Sequence, residues 1–224
     1  QALTKEIDII FLCNPNNPTG LLVEKPLLEK ILKRCQELDI LMAVDECFLD
    51  FVPSPEKYTL KEYLETYDNL FLLKAFTKRY AMAGVRLGYG LCGNKGLLRK
   101  MEGVCQPWNV SSMAQAAGLA ALQEREYVEK GRQVTFQELA YLKEELAALG
   151  YPVYPSQANY VFFTGPADLY EKLEQKKILI RDCSNYTGLS KGYYRVAVKE
   201  HEENQQLVRA LKEIDRTKVE NVIL

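Results

Sequence analysis

The 224-residue sequence contains a single histidine, His201. One imidazole excludes a His-rich metal centre. A Ser-His-Asp triad would have to run through a residue beside Glu202 and Glu203, near the C-terminal end. The six cysteines stand at 13, 35, 47, 92, 105 and 183, never closer than twelve residues apart. No CxxC is present, which removes zinc-ribbon and thioredoxin-type readings and leaves no metal site to expect. A chain this long can build a core without crosslinks, so the thiols read as reduced and the location as cytoplasmic. An excess of either charge is also missing. Lys and Arg number 29 against 30 Asp and Glu, a formal net charge of −1. That balance supplies no basic footprint for nucleic acid and no polybasic patch for a membrane. Apolar runs such as Ile9–Cys13 and Ile40–Val44 reach only five residues, against about 20 for a membrane span. No secretory or transit pattern opens the sequence. It begins Gln-Ala-Leu rather than with Met, which points to a processed product or a fragment.

What is present is ordinary globular usage, 47% apolar and 26% charged, and disorder is a poor reading of it. Apolar runs rich in β-branched residues alternate with stretches of helical period, the pattern of an α/β domain. Ile9–Cys13 reads as a buried strand stopped by the turn-rich Asn14-Pro15-Asn16-Asn17-Pro18-Thr19-Gly20. The spacing predicts a helix over Pro26–Asp39, strands over Ile40–Val44 and Leu70–Leu73, and a further strand over Gly84–Cys92. Near-continuous apolar strands joined by helices imply a mainly parallel sheet covered by helices on both faces. From about Ser111 the texture changes. Two long helices are expected at Ser111–Gln123 and Tyr127–Leu149, the second closed by Gly150 and Pro152. Short strands follow at Asn159–Phe163, Ile178–Ile180 and Tyr193–Val198, with helices near Asp168–Gln175 and Glu202–Ile214. The expected division is a larger domain over 1–125 and a smaller α+β domain over 126–224.

Four segments concentrate polar chemistry. They are the Asn14–Gly20 turn; Val44-Asp45-Glu46-Cys47-Phe48; the run from Phe76 through Thr77, Lys78 and Arg86 to Tyr89; and Tyr193-Tyr194-Arg195-Val196-Ala197-Val198. Carboxyl ends of parallel strands are where open α/β sheets bind ligands. Each segment also has a plainer reading. The first is only a turn, and Asp45 caps the turn after its strand. Lys78 and Arg86 are solvated charges, and Arg195 pairs with a core carboxylate. Taken singly the plainer readings win; the order and spacing of all four together are harder to assign to chance.

The Asn17-Pro18-Thr19-Gly20 turn, the strand-end Asp45, the Lys78-x7-Arg86 spacing and the late Arg195 occur in one order across essentially the whole chain. In this the sequence resembles the fold type I, pyridoxal-phosphate-dependent aminotransferases of class I/II. Its pattern is nearest the branch holding histidinol-phosphate aminotransferase and threonine-phosphate decarboxylase. The resemblance implies a large cofactor-binding domain, of which only the C-terminal part is present, followed by a small domain. It also implies pyridoxal 5'-phosphate as cofactor, an amino acid or amine substrate bearing phosphate, and a homodimer. Lys78 would condense with the cofactor aldehyde and later carry protons. Asp45 would keep the pyridine nitrogen protonated, and Asn17 would hydrogen-bond the ring's 3' oxygen. Arg86 and Thr77 would hold the cofactor phosphate. Arg195 would meet the substrate carboxylate and Arg181 the substrate phosphate.

The sequence departs from the family pattern in three places. Ala75 stands where a hydroxyl residue is common, three before the lysine. Phe48 stands where aminotransferases carry a tyrosine, three after the strand-end Asp. Phe48, Gln106-Pro107-Trp108-Asn109-Val110 and the run Arg181–Leu189 are similar to the decarboxylase pattern. Nothing before Asn14 matches the family's glycine-rich phosphate turn or its ring-stacking aromatic, so the chain corresponds to roughly the C-terminal two-thirds of such an enzyme. The alternative is a truncated, non-catalytic interaction module derived from that fold. A dinucleotide-binding reading rests on Gly88-Tyr89-Gly90-Leu91-Cys92-Gly93 alone. Those glycines fall inside an expected strand, and residues 107–114 lack the acidic residue required about 20 positions on. Close backbone packing is the expected cause.

Overall fold

A computed structural model describes residues 3–222, with side chains over 3–215. The chain divides into two compact units, one formed by Gln1–Asn16 with Leu22–Lys130, the other by Asn17–Leu21 with Gly131–Leu224.

The first unit is built on a four-stranded sheet. Strands β1 (Ile9–Cys13), β2 (Leu41–Asp45) and β3 (Leu70–Ala75) run parallel, and β4 (Gly88–Cys92) lies antiparallel against β3. Helix α1 (Lys25–Glu37) opens on Pro26 and buries Leu28, Leu32 and Cys35, one turn apart along a single face. These meet Ile40, Met42, Val44, Leu60, Leu70 and Leu72 to form the core. Ile10 and Leu12 of β1 pack against it, whereas Ile9 and Phe11 are 40% and 69% exposed. The expectation of a sheet covered on both faces is therefore met on one face only at β1, because α1 packs on the side of Ile10 and Leu12. The unit continues through α2 (Phe76–Arg79), α3 (Lys95–Val104) and α4 (Ser112–Ala121). Helix α5 (Arg125–Ala148) begins here and continues into the second unit.

The second unit holds α5, β5 (Tyr160–Thr164), α6 (Leu169–Gln175), β6 (Arg181–Asp182), β7 (Tyr193–Ala197) and α7 (His201–Val222). Its antiparallel sheet has the order β5-β7-β6. Leu139, Leu142 and Leu146 of α5 pack with Val161, Phe163, Tyr194 and Val196 and with Leu207 and Leu211 of α7.

Element boundaries moved modestly from expectation, and two moves are substantive. The strand expected over Ile178–Ile180 is observed at Arg181–Asp182, since only those residues pair with β7. Helix α3 was not expected at all. Its N-cap, Asn94, accepts from the Leu97 N–H at 3.0 Å. The glycines of the dinucleotide-like motif serve packing. A Cβ on Gly90 would stand 2.1 Å from the Phe71 ring, and one on Gly93 would stand 1.9 Å from the Leu64 carbonyl. Trp108, between α3 and α4, is 95% exposed and has a φ of +61°.

Glu46, next to the last residue of β2, has no solvent exposure. Its carboxylate takes the Lys74 ammonium at 2.7 Å, the Thr59 hydroxyl at 2.8 Å and the Leu60 N–H at 3.1 Å. A buried carboxylate persists only when paired and hydrogen-bonded in this way. Glu46→Gln should destabilise the fold by about 3–5 kcal/mol, because Lys74 is left with an uncompensated buried charge. Urea unfolding followed by circular dichroism measures this, and Glu46→Leu combined with Lys74→Met should cost less than Glu46→Gln.

Candidate active site

Asp45 closes β2 in register with Cys13 of β1 and Leu73 of β3. Its Oδ1 accepts the Cys47 N–H at 2.9 Å, holding the turn that follows the strand. Strand β3 runs on into the single turn of α2, which carries Thr77 and Lys78. The chain then loops back to β4, closed by the Phe76 N–H donating to the Leu87 carbonyl at 3.1 Å. Asp45, Thr77, Lys78 and Arg86 therefore all emerge at one end of the sheet, the carboxyl end of its parallel strands, where α/β sheets bind ligands.

The bases in and beside this loop divide into two kinds. Lys74 is tied to Glu46, and Arg79 meets Asp50 at 2.9 Å. Lys78 and Arg86 are exposed and, among the described residues, have no ion-pair partner. The Lys78 ammonium donates to Thr77 Oγ1 at 3.5 Å, and the Phe48 ring centre lies 5.7 Å away. Arg86 gives one N–H to the Ala83 carbonyl at 3.1 Å. Both Ala81 (φ +52°) and Arg86 (φ +56°) have left-handed backbones, so the Lys78–Arg86 loop holds two strained positions of about 1–3 kcal/mol each. The Cys47 thiol is pushed up to about 12, first by burial and then by a hydrogen bond to Asp45 and its negative charge, while Lys78 and Lys74 pull it down. Asp45 and Lys78 thus act on one thiol in opposite directions.

The second unit gathers the other three expected residues. Arg181 and Arg195 are cross-strand partners in the β6–β7 ladder. Directly opposed like charges are unfavourable without a counter-ion. The plainer reading of Arg195 expected a core carboxylate; instead Arg195 Nη1 donates to Asn17 Oδ1 and the guanidinium lies 5.1 Å from the Tyr160 ring centre. Arg181 Nη2 donates to Asn185 Oδ1 at 3.0 Å and its guanidinium lies 6.0 Å from the Tyr186 ring. Asn17 is set by Gly20, whose φ of +71° and bare Cα (a Cβ there would stand 1.8 Å from Ser156 Oγ) let its carbonyl accept the Gln157 N–H at 2.8 Å. The structure accordingly sorts the expected residues into two groups: Asp45, Thr77, Lys78 and Arg86 in one unit, and Asn17, Arg181 and Arg195 in the other. Tyr186, which touches both Asn17 and Arg181, was missed; the only signal in the sequence was an aromatic hydroxyl five residues after Arg181.

The donor set suits a phosphorylated pyridine aldehyde. Within the first unit it offers an amine and a guanidinium that have no counter-ion among the described residues, and a strand-end carboxylate. Comparison with known proteins bears on this directly. A family model, Aminotransferase class I and II, matches residues 1–211. The chain belongs to that family. Members bind pyridoxal phosphate. Threonine-phosphate decarboxylase from Salmonella typhimurium is 38% identical over 218 residues, covering 96% of this chain. Histidinol-phosphate aminotransferase from Methanococcus aeolicus is 32% identical over 95% of this chain. The crystal structure of the histidinol-phosphate aminotransferase from Clostridium acetobutylicum superposes with a TM-score of 0.90 at 31% identity, covering 95% of this chain and 65% of that one. This family fold carries the mixed sheet and helices described above. The chain spans 59% and 57% of the two curated relatives' lengths.

The Cys47 thiol gives a reading of this group that needs no cofactor. Asp45→Asn should lower its titration and speed alkylation at neutral pH, whereas Lys78→Ala should raise the titration further. Mass-resolved alkylation against pH measures both. Equal rates for Cys47 in all three proteins would show that the two side chains do not flank it.

Proposed function

We propose that this chain is the working part of a pyridoxal-phosphate-dependent enzyme acting on a phosphate-bearing amino acid or amine. The reaction is either loss of the α-carboxyl group, as the Salmonella relative's name states, or amino transfer, as the Methanococcus relative's name states. The observation that carries the proposal is the convergence of Asp45, Thr77, Lys78 and Arg86 at the carboxyl end of the parallel strands, with both Lys78 and Arg86 uncompensated. Family membership supports the cofactor.

Bound pyridoxal phosphate supplies an aldehyde for amines and a ring that accepts electrons from a bond broken at the substrate's α-carbon. Asp45 would hold the ring nitrogen in its protonated form, which makes that acceptance favourable. Arg86 and Thr77 would hold the phosphate, a planar guanidinium being suited to two oxygens at once. Lys78 would hold the cofactor between turnovers and move the proton at the substrate's α-carbon. Arg195 would bind the substrate carboxylate and Arg181 its phosphate. Which bond breaks is then decided by how the two arginines orient the substrate. Phe48 and the Arg181–Leu189 run favour the decarboxylase-like outcome. We further propose that the first unit is the cofactor-binding domain and the second the small domain, and that the enzyme is a cytoplasmic homodimer. The reading as a non-catalytic module gains no support from the relatives, which are named as a decarboxylase and an aminotransferase.

Added pyridoxal phosphate should give the protein a visible absorbance band, trapped by borohydride on Lys78 and absent from Lys78→Ala. Arg86→Ala should weaken cofactor binding by about 10–100-fold, the loss of a charge-assisted contact. Carbon dioxide release from O-phosphothreonine, set against keto-acid-dependent amino transfer from histidinol phosphate, separates the two reactions. Identical spectra for wild type and Lys78→Ala would refute the proposal.

A further inference from the structure

We infer that Tyr186 is a positioning residue that orients the Asn17 amide through its hydroxyl and the Arg181 guanidinium through its ring; this deepens the function proposed above and rests on it. An amide's two ends differ only in what they can bond. Arginine has donors alone, so the Arg195 contact identifies the bonded end of Asn17 as Oδ1. The Tyr186 hydroxyl donates to the same oxygen at 3.3 Å. With both of its lone pairs engaged, Asn17 can offer only the two N–H donors of Nδ2, and these have no partner among the described residues. Arg195 sets which end of the amide is bonded, and Tyr186 adds a second contact to the same oxygen that holds the side chain there. Nδ2 is therefore the end left to donate, the form an anionic ring oxygen requires.

The ring of the same tyrosine lies 6.0 Å from the Arg181 guanidinium, and Asn185 Oδ1 takes Arg181 Nη2 at 3.0 Å. Both tethers are neutral. They restrict the guanidinium without cancelling its charge, so it stays available to an anion. Tyr186 is itself held firmly. Its N–H donates to the Cys183 carbonyl at 3.1 Å, and its carbonyl accepts the Leu189 N–H at 3.0 Å. One half-buried side chain in a pinned turn directly after β6 thus contacts two of the unit's three expected site residues and, through Asn17, bears on the third. Position 48, where the family pattern has a tyrosine, offers no hydroxyl in this chain.

The test compares Tyr186→Phe, which keeps the ring, with Tyr186→Leu, which loses ring and hydroxyl. Binding of O-phosphothreonine and of inorganic phosphate is measured by calorimetry, and the pH midpoint of the visible band is measured with added pyridoxal phosphate. Tyr186→Phe should leave phosphate binding near wild type and weaken O-phosphothreonine binding by about two- to tenfold, the loss of one hydrogen bond. It should also raise the band's pH midpoint by about half to one unit, because a loosened donor leaves the ring oxygen more basic. Tyr186→Leu should additionally weaken inorganic phosphate by about two- to tenfold as Arg181 loses its ring. Circular dichroism melting of Tyr186→Phe should match wild type. If both variants bind and titrate like wild type while Arg195→Ala loses O-phosphothreonine, the role of Tyr186 is refuted and the function above stands. If wild type itself takes up neither O-phosphothreonine nor cofactor, both fall together.

Discussion

The Glu46 carboxylate must be satisfied inside the protein, and the first unit is organised around doing so. It directly follows Asp45, so whatever holds Glu46 also sets where β2 ends and how Asp45 is presented. Its partners come from two directions. Lys74 reaches it from the neighbouring strand, while the Thr59 hydroxyl and Leu60 N–H reach it from the excursion between β2 and β3. That excursion consists of short single turns with little repeating structure of its own. The carboxylate gives it an anchor, and Leu60 beside that anchor enters the core.

The same arrangement explains why neighbouring bases have different fates. Lys74 points its charge into the protein and is neutralised there, whereas Lys78, four residues on, has passed the end of the strand into α2 and meets no carboxylate among the described residues. The loop with left-handed residues at Ala81 and Arg86 returns the backbone to the start of α2, where the Phe76 N–H donates to the Leu87 carbonyl. Arg86 in that loop likewise has no ion-pair partner among the described residues. Charge is left unbalanced where a ligand would balance it. In the second unit the register of β6 on β7 does the equivalent work, setting two guanidinium groups opposite each other and tethering them only through neutral amides and rings.

Much of the first unit was legible because its strands are short apolar runs with abrupt polar ends. The bounds of Ile9–Cys13 needed no revision, although the strand expected to be buried leaves Ile9, Phe11 and Cys13 exposed, and the next two strands shifted only at their ends. Helix α3 was passed over although Leu97, Leu98, Met101 and Val104 repeat at helical spacing; the structure buries none of its residues, so that stripe meets no core among the described residues. The Ile178–Ile180 expectation failed for a related reason. An apolar run marks burial, but the ladder begins only where β7 has partners to offer, and those face Arg181 and Asp182. Among site residues, the strand-end Asp45 and the Lys78–Arg86 spacing are local patterns and were visible. Tyr186 was not, since its role depends on Asn17, which lies 169 residues away. Glu46 was likewise hidden, because nothing in the sequence distinguishes a buried carboxylate from a solvated one.

Trp108 is the chain's only tryptophan, and its indole stands almost wholly in water. Its emission is already that of a hydrated fluorophore in the native state, so denaturation changes its surroundings little. Intrinsic tryptophan fluorescence will therefore be nearly silent while the core melts. The same exposure makes the indole a clean reporter of anything that later covers the loop between α3 and α4, because a blue shift there would signal contact with another molecule against a background that unfolding hardly disturbs.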